Sequence, residues 1–245
     1  MRKQLTPHSS HGLVRLLLVA ASLVAGGSSA MAQRLVVPAE VVLYLHADLK
    51  STDFVRPLVC ALQTVLTAPV VTQTSSLRLG PELLATPAQF DVSKVAEVFI
   101  RTTAAEGSSP SFKYLIIPHD LKFEPLRYVF STSFGDETTP HHVGVLSTAR
   151  LDQGGEMTAR RAYKLILKSI ARVAGLRSPE ACILSFPNSL DELDRKSSAF
   201  CPDDRATLIR AGILNAREGE KGTDCSAISQ RGPAGLLVAA ASGKP

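Results

Sequence analysis

The order of apolar segments limits this chain's fold more than any other feature. It reads strand, helix, strand, helix, then three strands in succession and one long amphipathic helix. Val41 to His46 (V-V-L-Y-L-H) is β-branched and apolar enough for a buried strand. Ser51, Thr52 and Asp53 offer caps for a helix over Phe54 to Thr67, with Pro57 tolerated in its first turn. Pro69 to Thr74 reads as a second strand, and Asp91 to Thr103 as a second helix with Val95, Val98 and Phe99 at helical spacing. After a Gly/Ser break at 107 to 111, Phe112 to Pro118, Tyr128 to Ser133 and Val143 to Ser147 read as strands, and Thr158 to Ala174 as the long helix. Asp203 to Ile213 is the last expected helix, with Asp203 and Asp204 at its positive end. This order predicts an α/β single domain, a mixed β-sheet of about five strands with helices packed against it.

Residues 1 to 32 have the form of a secretory signal peptide: Arg2, Lys3 and Arg15 supply charge, Leu16 to Ala25 is apolar, and Ala30-Met31-Ala32 fits a cleavage site. The expected product is exported, periplasmic or secreted, with no membrane anchor, since the apolar run is too short to span a bilayer. Residues 33 to 215 form the expected domain. From 216 to 245 the composition turns to Gly, Lys, Glu, Ser and Pro, which predicts a weakly ordered tail with one apolar island at Leu236 to Ala241. The formal charge of +5 falls to +2 once the three basic residues of the signal leave. With no Trp, 5% aromatic residues and no long Lys/Arg run, nucleic acid is excluded as a partner.

The long helix and the segment after it carry an altered motif. The zinc-peptidase pattern H-E-x-x-H-x-x-G-x-x-H sets two histidines one helical turn apart, a glutamate beside the first, a glycine ending the helix and a third histidine beyond. Aligned on Gly175, this chain has Lys168 and Arg172 at the helix histidines, Ser169 at the glutamate and Ser178 at the third histidine. Residues 185 to 202, S-F-P-N-S-L-D-E-L-D-R-K-S-S-A-F-C-P, resemble the segment after the metal helix in archaemetzincins, and F-K-Y-L-I-I-P-H-D-L, L-R-Y-V-F-S-T-S-F-G and G-V-L-S-T-A-R-L resemble the strands before it. The resemblance covers roughly residues 40 to 210 and implies a metzincin (zincin-like) fold. Archaemetzincins are zinc metallopeptidases with a second, structural zinc on four cysteines and a methionine turn beneath the catalytic ion.

Against that pattern Leu184 stands at the turn methionine, Asp204 at the last cysteine and Pro179 near the first, while Cys182 and Cys201 remain. No catalytic residue and no metal or other cofactor is therefore expected at Lys168, Ser169, Arg172 and Ser178. Gly175, Leu184, Cys182 and Cys201 are expected to be structural. Because Cys182 and Cys201 look like ligands of one metal, the resemblance implies that they are neighbours and form a disulfide. Such a bond closes a loop of about 20 residues and contributes roughly 3 kcal/mol. Cys60 is left either to pair with Cys225 or to remain a buried thiol.

Lys168 and Arg172 share a helix face with Arg160, Arg161 and Lys164 nearby, opposite an apolar face of Tyr163, Ile166, Leu167, Ile170, Val173 and Ala174. A solvated basic face is expected there, or else a retained cleft with a basic floor for acidic ligands or peptide carboxyl groups. Lys168-Ser169 does not make a serine-lysine pair, since adjacent helical side chains point about 100° apart. His46, His119, His141 and His142 are the candidate metal ligands outside the motif, with His141 and His142 expected on a surface turn and His119-Asp120 in a packing or turn role. Asp191, Glu192 and Asp194, close to Arg195 and Lys196, are expected to form ion pairs and caps.

The function expected from these features is an exported pseudopeptidase domain, without zinc or a general base, that binds an extended peptide or protein ligand in the retained cleft. A hydrolase with a relocated metal or nucleophile and a structural envelope-interaction protein are the alternatives.

Overall fold

A computed structural model describes residues 35–104, 110–135, 142–151, 153–216, 229–231 and 237–239. The expected signal, His141, Cys225 and most of the tail lie outside them. In chain order the elements are β1 (Glu40–His46), α1 (Val55–Val65), β2 (Val70–Ser75), β3 (Leu84–Thr86), β4 (Gln89–Asp91), α2 (Val92–Thr103), β5 (Ser111–Ile117), β6 (Leu121–Lys122), β7 (Ser131–Phe134) and β8 (His142–Ser147). α3 (Gly155–Val173), α4 (Leu190–Arg195), α5 (Pro202–Arg210), β9 (Ser229–Arg231) and β10 (Leu237–Ala239) complete them.

The five expected strands form the order β2-β1-β5-β8-β7, extended at the β2 edge by β9 and β10 to seven strands. β2, β1, β5 and β8 run parallel, and β7 pairs antiparallel with β8. β3, β4 and β6 make a separate three-stranded sheet, which no sequence signal separated from loop. Strands this short have too little alternation to read by period.

Alternation along the central strands sorts side chains into two cores. Val41, Leu43, Phe112, Tyr114, Ile116 and Leu146 face the layer holding α1 and α3, where Leu58, Leu62, Ile166 and Ile170 are buried. Val42, Tyr44, Leu115, Ile117, Val143 and Val145 face α2, against Val95 and Phe99. Each large apolar side chain so buried contributes about 1.5–3 kcal/mol, so the sheet is held from both sides.

The helix starts differ in their chemistry. Asp91, the first residue of the expected span, is the N-cap of α2, accepting from Ser93 N and Lys94 N. The expected cap of α1 is corrected: Phe54 is the N-cap, and Ser51 and Asp53 hydrogen-bond each other instead. Gly175 sits at φ +101° just past α3, a conformation that a residue with a Cβ adopts at a cost. Gly144 lies opposite Tyr114 in the β5/β8 register, and a methyl group there would collide with the tyrosine ring.

Candidate functional site

α3 runs beneath the β7 edge and carries Lys168, Ser169 and Arg172 on the face turned toward it. The expected solvated basic face is not what the structure shows. Lys168 Nζ donates to Glu180 Oε2 at 2.9 Å and to Ser185 O at 3.3 Å. Arg172 donates to the carbonyls of Leu176 (3.0 Å) and Ser178 (2.7 Å) and to Glu180 Oε1 at 3.2 Å. One carboxylate thus bridges the two cations that replace the helix histidines. Burial holds Lys168 below the ordinary lysine range, and Arg172 adds to this, while Glu180 pulls the other way. Sequence reasoning missed Glu180, although it is the only acidic residue between Lys168 and Cys182 and so the one local counter-charge for the pair.

The two serines at motif positions are also engaged. Tyr114 OH donates to Ser169 Oγ at 2.9 Å and shares a 2.5 Å hydrogen bond with Ser131 Oγ. Burial pushes the Tyr114 hydroxyl up to about 12 against the opposing effect of those two hydrogen bonds. Ser169 and Lys168 have different partners, so no proton-transfer pair exists between them. Ser178 Oγ donates to the Asp204 carboxylate, which is buried. Two cations and two hydroxyls do not fit a zinc ion, whose ligands are thiolate, imidazole or carboxylate.

Further along α3 the correction is larger. Arg161 and Lys164 are 2% and 3% exposed. Arg161 makes a bidentate pair with Asp194, both contacts 2.7 Å, and also reaches Leu151 O and Gln153 Oε1. Lys164 Nζ donates to the carbonyls of Leu193 and Asp194. Asp194 therefore pairs across to α3 and not with Arg195 or Lys196, while Ser189 and Glu192 cap α4. Lys196 is buried, and its Nζ makes no hydrogen bond among the described residues. Burial, then Lys168 and Lys164 nearby, push it down to about 7, with Glu180 opposing.

Cys182 and Cys201 form the expected disulfide, with a Cα–Cα distance of 5.5 Å. Two thiolates are thereby removed from metal binding. Leu184 is fully buried in the core beneath. Cys60 is disulfide-bonded as well, and the expected pairing with Cys225 lies outside the described residues.

Beside this cluster lies a cleft of about 380 Å³. β7 and the residues before it form one wall, Phe186 to Asn188 the other, and Leu165, Lys168, Ser169 and Arg172 the floor. Among the described residues β7 is the edge of the sheet, so no described strand uses its outward backbone groups.

The remaining histidines divide. His142 is not on a surface turn: it opens β8, is 5% exposed and packs against the Phe112 ring. His46 and His119 come together with Asp48, with one ligand atom of each within 4.8 Å of the others. Asp120 takes a turn role, held by a bidentate pair with Arg150.

No family model matches the chain. An archaemetzincin from Aeropyrum pernix is 34% identical over 83 residues, which are 33% of this chain and 45% of that protein, so the match spans less than half the relative's length. The fold is similar to crystal structures of archaemetzincin from Methanopyrus kandleri (TM-score 0.57, 20% identity, 70% of this chain and 94% of that one) and of a zinc-dependent peptidase from Methanocorpusculum labreanum (0.55, 21%, 69% and 99%). An archaemetzincin from Archaeoglobus fulgidus aligns with TM-score 0.53 and 19% identity over 68% of this chain and 99% of that one.

Proposed function

We propose that this archaemetzincin-like chain is an exported domain that has given up hydrolysis at the family's metal position and binds extended peptides in the cleft along β7. The observation that carries the reading is the Lys168–Glu180–Arg172 bridge. It fills the place of a metal with an internal ion pair and leaves no general base at Ser169. Peptide hydrolysis at that position requires a Lewis acid and an activated water, and cations there repel any divalent ion.

Binding needs neither. An extended segment adds to an exposed sheet edge through backbone hydrogen bonds, and Ser131 to Phe134 offers such an edge above the cleft. Phe186, 48% exposed, with Leu126 and Tyr128 gives apolar purchase for side chains. Lys168 and Arg172 in the floor, with Lys164 and Lys196 behind, favour peptides bearing carboxyl groups. The disulfide supports export, because such bonds persist in oxidising compartments. No helix among the described residues is long and apolar enough to cross a membrane.

The test is a peptide-library screen on the purified chain from Gln33 onward. Enrichment of acidic, extended sequences, lost when Ser133→Pro removes an outward N–H of the edge, is the expected result. No enrichment of any sequence would leave the groove without a ligand and favour a structural envelope role.

A further inference from the structure

The direction of the chain through the sheet reverses at β1. From β1 the connection through α1 leads to β2 on one side, while from β2 the path through α2 returns to β5 on the other side of β1. β1 and β5 are therefore parallel neighbours whose outgoing connections diverge. Their carboxyl ends open a crevice of the kind in which α/β proteins place ligands. The residues that the chain places there are His46, the last residue of β1, Asp48 two residues on, and His119, two residues past β5.

We infer that His46, Asp48 and His119 form a divalent transition-metal site, best suited to Zn²⁺, separate from the altered motif on α3. His46 Nδ1 lies 3.7 Å from Asp48 Oδ2, and His119 Nε2 lies 3.4 Å from the same oxygen. Two donors bonded to one tetrahedral ion at about 2.1 Å stand about 3.4 Å apart. The three side chains need only small adjustments to share an ion. Two imidazoles and one carboxylate are a donor set that suits zinc and neighbouring divalent metals and leaves at least one coordination position for water.

The surroundings orient the ligands as a metal site requires. His46 is 5% exposed, and its Nε2 lies 2.9 Å from the carbonyl of Leu77, an oxygen that can only accept. Nε2 therefore carries the proton, and the Nδ1 lone pair points toward Asp48. A metal-binding histidine is normally fixed this way by its second ring nitrogen. Nδ1 accepts the Asp48 N–H at 3.2 Å, a long hydrogen bond in the tight turn after β1 that an ion would displace. On the other strand, Ser147 Oγ donates to the His119 carbonyl at 2.6 Å, and Phe90 packs on the His119 ring. Asp120, the nearby acid that would compete for the ion, is instead committed to Arg150. Asp48 and His119 have side chains 63% and 35% exposed, so the ion would have a path in.

Isothermal titration of Zn²⁺ into the chelator-treated mature chain, disulfides intact, tests the site, with the visible bands of Co²⁺ as a second readout of coordination. One equivalent is expected, with affinity reduced at least tenfold by His119→Ala and by Asp48→Ala, and unchanged by His141→Ala with His142→Asn. The first two variants alter exposed side chains and leave the fold intact; circular dichroism verifies this. An absence of binding, or binding that both variants leave untouched, would overturn the assignment. The result is independent of peptide binding at β7, so either reading can fail without the other.

Discussion

At the scale of single residues, the proposed loss of metal chemistry turns on Glu180. Its carboxylate is half exposed, yet it separates two cations that would otherwise face each other four residues apart on α3. Glu180→Gln keeps the shape and removes the charge, so unfolding in urea is expected to show a loss of about 1–2 kcal/mol, discounted for the solvent around the pair. A variant as stable as the parent would mean that the bridge contributes nothing. Lys196 gives a prediction with a pH sign. Its folded pKa is lowered to about 7 from 10.5, so between those values the unfolded chain binds the extra proton and stability rises with pH. Below about 7 both states are protonated and the full cost of the buried charge applies. Lys196→Met is therefore expected to stabilise the protein most at about pH 6, with the gain shrinking toward about pH 10; a gain equal at both would show that packing and not charge is responsible.

At the scale of elements, two features hold the site in place. The Cys182–Cys201 disulfide ties the turn holding buried Leu184 to the start of α5, across a sequence separation of 19. Replacing both cysteines by serine is expected to cost roughly 3 kcal/mol, measured without reductant as a lower urea midpoint, so that the disulfide of Cys60 stays intact in both proteins. Gly144 lets the Tyr114 ring lie across β8 and reach Ser169. Gly144→Ala is expected to cost about 1–3 kcal/mol by overpacking; an unchanged melting temperature would show that the ring shifts freely. The long elements were legible because their periods are strong. β1, β2, β5, β8, α2 and α3 lie within a few residues of their expected spans, and β7 lies at the end of its span. The small β3-β4-β6 sheet was not, because two or three residues carry no period. The expectation of a solvated α3 face failed for a physical reason. Arg161 and Lys164 look like surface residues by type, and they are buried by the segment around α4, whose carbonyls and Asp194 satisfy them from about 30 positions away. Likewise the His46–Asp48–His119 group depends on strand order, which brings together residues 71 positions apart.

At the scale of the whole molecule, a fold similar to that of archaemetzincin structures sets an edge strand above a helix with a cleft between them, and the floor of that cleft holds cationic side chains. The family motif could be seen in the sequence as a set of substitutions at fixed spacing. The internal ion pair that occupies the position required the fold. The most direct measurement is mass spectrometry of an acidic peptide library incubated with the mature chain, with and without a chelator, alongside retention of the same peptides on immobilised protein. Peptides are expected to be retained and recovered intact, with chelator changing neither result. Cleavage that stops with chelator and is lost in Lys168→Ala or Arg172→Ala would contradict a metal-free binding cleft.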